Sequence, residues 1–390
     1  MSTSNPLSRF GAAAVVGAGI AGATVAYELA RRGVRTTLFE QRSIAYGASG
    51  RNMGLLLNQV EPEVVRIMGI ALDAYRELES SRFGLRQQRQ LLLARDSEQA
   101  DAAAKRAVGI RGLGVSVEEV DGAALRTELP QLSVDVLGGW VVEGAWALDP
   151  GAATLAFVEA ARAAGAEVLT GTRVHTIVEQ SGRVHGVISD RGRHACDAVV
   201  VATGPWLPQL APGVRVTAAR GWVLRTAPLD FTLPWIIEEM SWPDQDVLGR
   251  VGGRPTLADL ARGGYDRPVV QALALCQVAG GEALLGTSMA QSLRDAVEGV
   301  DMPQRLAERA LLVAPGLASL EVGAAWSGMR PLTPDGMPVA GPVAGSEGLF
   351  VHGGHGSIGM MTAPATARWL VEGNADELAK LDPARFELGG

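Results

Sequence analysis

Two rhythms of apolar residues alternate along the chain. Ala12 to Val16 (AAAVV) is an uninterrupted apolar run, the profile of a short buried strand, and ATVAYELARRG then carries apolar residues at helical spacing up to Gly33, a helix stop. VRTTLFE resumes as a second strand that ends in Glu40. Glu61 to Phe83 is amphipathic, with Val64, Val65, Met68, Ala71, Leu72, Tyr75 and Leu78 on one helical face. Arg89 to Arg95 reads as a strand and Ser97 to Val108 as an alanine-rich helix. An Asp149-Pro150 pair opens a helix that runs to Gly165 and into the strand AEVLT. Gly182 to Gly204 reads as a hairpin turning near Gly192, its last strand AVVVATG ending at Gly204. From Val216 the pattern changes to alternating or continuous apolar runs joined by turns (RGWVLRTAPL, PVVQALALCQVAG, EALLGTS), which predicts antiparallel strands. Pro303 to Val313 is a further helix, and SEGLFVHGGHGSIGMMTAPATARWLVEG gives a strand, a glycine loop and a closing helix. Pro243 to Pro268, rich in glycine, aspartate and arginine, reads as a surface insertion.

The 390 residues suffice for two domains, and 47% hydrophobic with 20% charged residues fits a globular enzyme. Net charge is −7, with no dense lysine or arginine run, so no nucleic-acid footprint is expected. The two cysteines, Cys196 and Cys276, and the five histidines are scattered, which argues against a disulfide framework or a metal site and makes a reducing cytoplasm the default. Phe10 to Tyr27 is uncharged and mimics a signal core or a short span. Its alanine and glycine content and its glycine spacing point elsewhere, so no membrane span is expected.

That spacing is Gly17-Ala18-Gly19-Ile20-Ala21-Gly22, a G-x-G-x-x-G between strand and helix, with Glu40 about twenty residues on. Gly17 permits the tight turn, Gly19 lets backbone approach a pyrophosphate, and Gly22 lets helix and strand pack closely. The helix start offers free N–H groups to phosphate, and Glu40 a carboxylate to a ribose diol. This is a dinucleotide cradle, and by itself it does not separate FAD from NAD. The following loop, Gln41 to Leu57, is long and glycine-rich, a detour that a flavin lying across it would explain.

Near the other end, WSGMRPLTPDGMPVAG sets a single guanidinium, Arg330, inside a glycine- and proline-rich bend, and HGGHGSIG follows at His352 to Gly359.

Together these pieces resemble the FAD-dependent amine and amino-acid oxidoreductases of the D-amino-acid oxidase, glycine oxidase and sarcosine oxidase type. The resemblance rests on GAGIAGATVAYELARRG with Glu40, GASGRNMG, DPGAATLAF, CDAVVVATGPW, RGW, GMRPLTPDG and GHGSIGMMTAPATARWL, in that order over nearly the whole chain. It implies an α/β fold in which a discontinuous Rossmann-like FAD-binding domain (10–60, 147–215, 320–375) is interleaved with an antiparallel-sheet substrate domain (61–146, 216–319). It implies FAD contacts from the glycine cradle, from Gln41 and Arg42 after Glu40, from Ser49-Gly50-Arg51-Asn52-Met53-Gly54, from Val174, from Ala202-Thr203-Gly204 with Trp206, and from Gly354-His355-Gly356-Ser357-Ile358-Gly359-Met360 beside the flavin ring. Arg330 would clamp the substrate carboxylate, His355 is a candidate for proton transfer, and Trp326 a candidate pocket wall. Members that attach flavin through a cysteine carry it at the position of Gly328, so FAD is expected to be non-covalent.

The implied reaction is hydride transfer from an amine-bearing carbon to flavin, with oxygen or an electron-accepting protein reoxidising it. Homo-oligomers and membership of a heteromeric dehydrogenase are both compatible. A 2-hydroxy-acid oxidase using the same arginine is the nearest alternative, and a non-catalytic flavin-binding protein the most distant.

Overall fold

In a computed structural model of the protein, residues 7–240, 269–289 and 302–386 are described. Trp242 and the segment 243–268 read above as an insertion lie outside the described residues.

The opening strand Ala12–Val16 is buried along its whole length because both of its faces are covered. Ala13 and Val15 pack under helices, while Ala12, Ala14 and Val16 face Val184, Val187 and Cys196 near a small three-stranded sheet. It sits inside a six-stranded sheet whose spatial order is Val339–Pro342, Leu349–Gly353, Ala198–Val201, Ala12–Val16, Arg35–Phe39, Glu167–Leu169. Every pairing is parallel except the outermost Val339–Pro342, which runs antiparallel to its neighbour. Four helices cover one face: Ile20–Ala30, Pro62–Glu77, Pro150–Ala163 and Gly359–Glu372. The Asp149 carboxylate caps the third by accepting the Ala152 N–H at 2.8 Å, and Pro150 fills the first helical position, as the Asp-Pro pair predicts.

The second sheet has nine strands, ordered Val322–Leu332, Thr217–Pro228, Glu282–Met289, Val269–Gln277, Ile236–Glu239, Arg86–Ala94, Gly138–Ala147 and Leu55–Leu56, with Val117–Asp121 also pairing with Gly138–Ala147. It is antiparallel but for one parallel contact, Ile236–Glu239 beside Arg86–Ala94. Helix Met302–Val313 closes the face where Leu91, Trp235, Ile237 and Leu275 are buried.

Two boundaries depart from the expected division. Helix Pro62–Glu77 joins the first core, where the Tyr75 hydroxyl donates to the Met360 carbonyl at 2.8 Å. Strand Val322–Leu332, assigned above to the cofactor half, pairs along Thr217–Pro228 in the second sheet. Both segments lie where the chain crosses between layers, so each follows the surface that buries its apolar side rather than its place in the sequence. Among the described residues, no helix is long and apolar enough to cross a membrane.

Backbone contact ties the two layers together at Gly54. It sits at φ +68°, and a Cβ there would stand 1.9 Å from the Leu148 carbonyl oxygen. Gly54→Ala should therefore destabilise the fold by at least about 2 kcal/mol, combining left-handed strain with a backbone collision; chemical denaturation with matched controls measures it.

Candidate active site between the two sheets

A cavity of about 870 Å³ opens between the sheets. At its floor the chain turns through Gly17 at φ +106°, where a Cβ would lie 2.6 Å from the Ala202 carbonyl oxygen. A Cβ on Gly22 would lie 1.8 Å from the Gly17 oxygen, and one on Gly19 would lie 2.9 Å from Ser49 Oγ. Gly17 thus makes the tight turn and Gly22 the close packing that their spacing predicts, while Gly19 sits against Ser49. Gly17 and Gly19 line the cavity with Ile20 and Ala21; Ala18 and Gly22 lie behind them. Ser49 Oγ accepts the Ile20 N–H at 2.8 Å.

The Glu40 carboxylate is held by two backbone donors, accepting from Ala18 N at 2.9 Å and from Arg42 N at 2.8 Å. One bond per oxygen leaves lone pairs for a diol. The loop beyond it is folded on itself by Asn52, which donates to the carbonyls of Ala48 and Ser49 and accepts the Gly54 N–H. Gln41, Arg42, Ser49, Arg51, Asn52 and Met53 line the cavity, whereas Gly50 and Gly54 support the loop from behind. The sequence reading passed over Tyr46, which also lines it. Its ring lies between two guanidiniums, Arg42 at 4.5 Å and Arg51 at 4.3 Å from the centroid.

Val174, with Arg173 and His175, lines the end beyond Glu40, and Ala202, Thr203, Gly204 and Trp206 form another wall. The last wall is His355, Gly356, Ser357, Ile358, Gly359 and Met360, while Gly354 lies outside it. Helix Gly359–Glu372 begins here, so its first-turn N–H groups, which lack intrahelical partners, sit at this wall. His355 is buried, with Nδ1 3.0 Å from Thr362 Oγ1. The Thr362 hydroxyl proton goes to the Ile358 carbonyl, so the ring donates through Nδ1 and leaves a lone pair on Nε2. Burial, with His352 beside it, holds His355 well below its ordinary pKa and therefore neutral.

Arg330 comes from the second sheet. Its side chain crosses the neighbouring strand over Gly221, where a Cβ would lie 2.0 Å from Nη1 and 2.7 Å from Cζ. Glycine in RGW is thus the seat of the guanidinium, a role that motif alone did not disclose. Nη1 donates to the Ser288 carbonyl at 3.0 Å, and no carboxylate pairs with it among the described residues. Burial lowers its pKa to about 10, which leaves it charged at neutral pH.

Trp326 does not line the cavity. Its indole N–H donates to the Arg51 carbonyl at 3.0 Å and pins the loop to the sheet, while Trp206 and Trp222 are the tryptophans that line the cavity. The choice went wrong because a strand hides which neighbours cross it. Gly328 lines the cavity with its Cβ direction 3.1 Å from Arg51 Cβ. Both cysteines are buried elsewhere, their thiols pushed up to about 11 and about 12 by desolvation.

The donor set fits a flavin dinucleotide: a glycine cradle that a Cβ would fill, a diol acceptor, and helix N–H groups at two places. Residues 12–373 match the family described as FAD dependent oxidoreductase. The chain belongs to that family. Glycine oxidase of Geobacillus kaustophilus is 28% identical over 390 residues, covering 96% of each chain. D-amino acid dehydrogenase of Sinorhizobium medicae is 28% identical over 80% of this chain and 70% of its own. The crystal structure of glycine oxidase from Bacillus cereus superposes with a TM-score of 0.80 at 21% identity, over 96% of this chain and 97% of that one, which shows the shared fold. The protein is accordingly an FAD-dependent oxidoreductase.

Behind the wall formed by His355 to Met360, His352 is fully buried; Nδ1 donates to the Ala21 carbonyl at 3.0 Å and Nε2 meets Thr366 Oγ1 at 2.8 Å. Desolvation lowers its pKa from 6.5 to about 4. The unfolded chain therefore takes the proton first. The resulting stabilisation is complete above pH 6.5 and is lost as pH falls toward 4, about 3 kcal/mol in all. Urea midpoints between pH 7 and 4 should fall accordingly, and His352→Gln should flatten that slope.

Proposed function

We propose that the protein oxidises the C–N bond of a small amino acid or secondary amine that carries a carboxylate. The observation that carries this reading is Arg330, a desolvated guanidinium seated on Gly221 beside the flavin wall, with only a neutral carbonyl as its described partner. A buried cation of this kind is stabilised by an anion brought in by the substrate, and a planar fork fixes that anion's orientation. Bound FAD supplies the hydride acceptor, and the imine left behind hydrolyses to an oxo acid and an amine.

The chain's own groups have three tasks. Arg330 binds the carboxylate and so selects which carbon faces the flavin. Leu55, Leu57 and Val223 on the wall disfavour an ammonium and thereby favour the free amine that can react. The first turn of helix Gly359–Glu372 directs its positive end at the cavity, where negative charge develops. His355 acts as a neutral hydrogen-bonding group in this reading, since burial opposes the imidazolium that proton storage would need. With both thiols buried outside the cavity, FAD is held without a cysteine link.

Anaerobic titration with glycine, N-methylglycine, D- and L-amino acids, secondary amino acids and 2-hydroxy acids tests the reading through bleaching of the flavin band. An amine class should bleach it. Arg330→Ala should lower kcat/KM about 10³-fold with flavin content retained, and Gly221→Ala, which dislodges the same guanidinium, should move in the same direction. Bleaching by hydroxy acids alone would assign the site to alcohol oxidation instead.

A further inference from the structure

Glu238 lies on strand Ile236–Glu239, a segment the sequence reading does not single out. It is 8% exposed and lines the same cavity as Arg330. Its two oxygens accept from Arg106 Nη1 at 2.8 Å and from Gln90 Nε2 at 2.6 Å. Gln90 cannot be turned round, because its Oε1 accepts the Asn58 N–H at 3.1 Å. Arg106 also donates through Nη2 to the Asn58 carbonyl at 3.1 Å, which brings Gln59, the next residue, to this end of the cavity. Gln59 is 2% exposed; its Nε2 donates to the Leu57 carbonyl at 3.2 Å, and its Oε1 has no partner among the described residues.

Both groups keep unfilled acceptors on cavity-lining residues: an amide oxygen that is closed to water and has no partner among the described residues, and a carboxylate with a spare lone pair on each oxygen. An unmet buried acceptor costs about 1–3 kcal/mol, and a buried ion pair is commonly no more stable than apolar side chains of similar volume. Neither feature explains itself as packing on a wall that also holds Leu55, Leu57 and Leu273. Arg106 already balances the Glu238 charge, so this end favours a neutral donor over a cation.

Register gives the distance. Glu238 pairs with Ala274, and Ala274 with Gly286, two strands across. Arg330 donates to the carbonyl of Ser288, two residues along that last strand. The backbone anchor points are thus about 12 Å apart. Glycine is too short to reach both ends. An amino acid ending in an amide, with a hydrogen bond at each end, spans it.

We infer that Gln59 and Glu238 form a second subsite that selects substrates whose side chain ends in a neutral hydrogen-bond donor, an amide or hydroxyl. The inference rests on the carboxylate-clamped amine reading above and specifies its substrate class.

The test compares near-isosteric pairs on the full-length FAD-loaded protein: glutamine against methionine and asparagine against leucine, each in whichever enantiomer reduces the flavin. The donor-bearing member should have at least a tenfold higher kcat/KM. Gln59→Met should remove most of that ratio, and Gln59→Glu, which keeps an acceptor, should recover part of it; flavin content and melting temperature verify that both variants fold. A ratio near one in the unaltered protein overturns the subsite, as does a ratio that neither variant changes, while flavin reduction by other amino acids leaves the amine reading standing. If no amino acid reduces the flavin, glycine included, the amine reading has failed and the subsite falls with it.

Discussion

The structure depends on one close approach, between the turn at Gly17 and the helix that follows it. With a Cβ on Gly22 only 1.8 Å from the Gly17 oxygen, any other residue would push the helix off the sheet. Withdrawing the helix start by even one side-chain radius would take its N–H groups and its dipole out of reach of a phosphate. The same turn abuts Ala202, so the strand carrying AVVVATG is held at a fixed distance as well. Helix Gly359–Glu372 then packs on the first helix, and His352 fastens the last strand to the carbonyl of Ala21. Three walls of the cavity are thus referenced to one glycine contact.

The fourth wall is supplied by the other sheet, and a second glycine governs it. Arg330 reaches the cavity because Gly221 leaves room across the strand for its guanidinium. Antiparallel pairing places Ala219 directly opposite Arg330, so Gly221 is its diagonal neighbour, where a long side chain naturally comes to rest. The place of Arg330 in the cavity therefore depends on the register between Thr217–Pro228 and Val322–Leu332, since a slip of one residue would turn the guanidinium to the opposite face. Trp326 and Arg51 lock the cofactor loop to that same strand through the Arg51 carbonyl and the Ser327 carbonyl.

The parts legible in the sequence are those whose chemistry is local. Gly17, Gly19, Gly22 and Glu40 lie within one strand–helix–strand unit, so spacing alone reports their geometry. The Asp149 cap, the helices beginning at Pro62 and Ser97, and the closing helix likewise follow from period and punctuation. What the sequence concealed is contact across strands. Gly221 under Arg330 and Glu238 against Arg106 and Gln90 each join residues that nothing nearby in the chain relates. Trp326 and Trp222 illustrate the same limit: one tryptophan was chosen for its neighbours in sequence, while the cavity holds the other. One signal was available in hindsight, the pair of acids ending the apolar run IIEE, because two charges rarely close a buried strand without partners.

Charge also separates the interior from the molecule as a whole. The chain is net acidic at −7, yet five arginines and two glutamates line the cavity. The positive potential is thus concentrated where low-dielectric walls amplify it, while the bulk of the surface carries the opposite sign. A diphosphate and a carboxylate are stabilised in such a place, whereas a polyanion approaching from outside meets repulsion. An acidic net charge and a cation-lined cavity are therefore two aspects of one distribution, and only its sum could be read from composition.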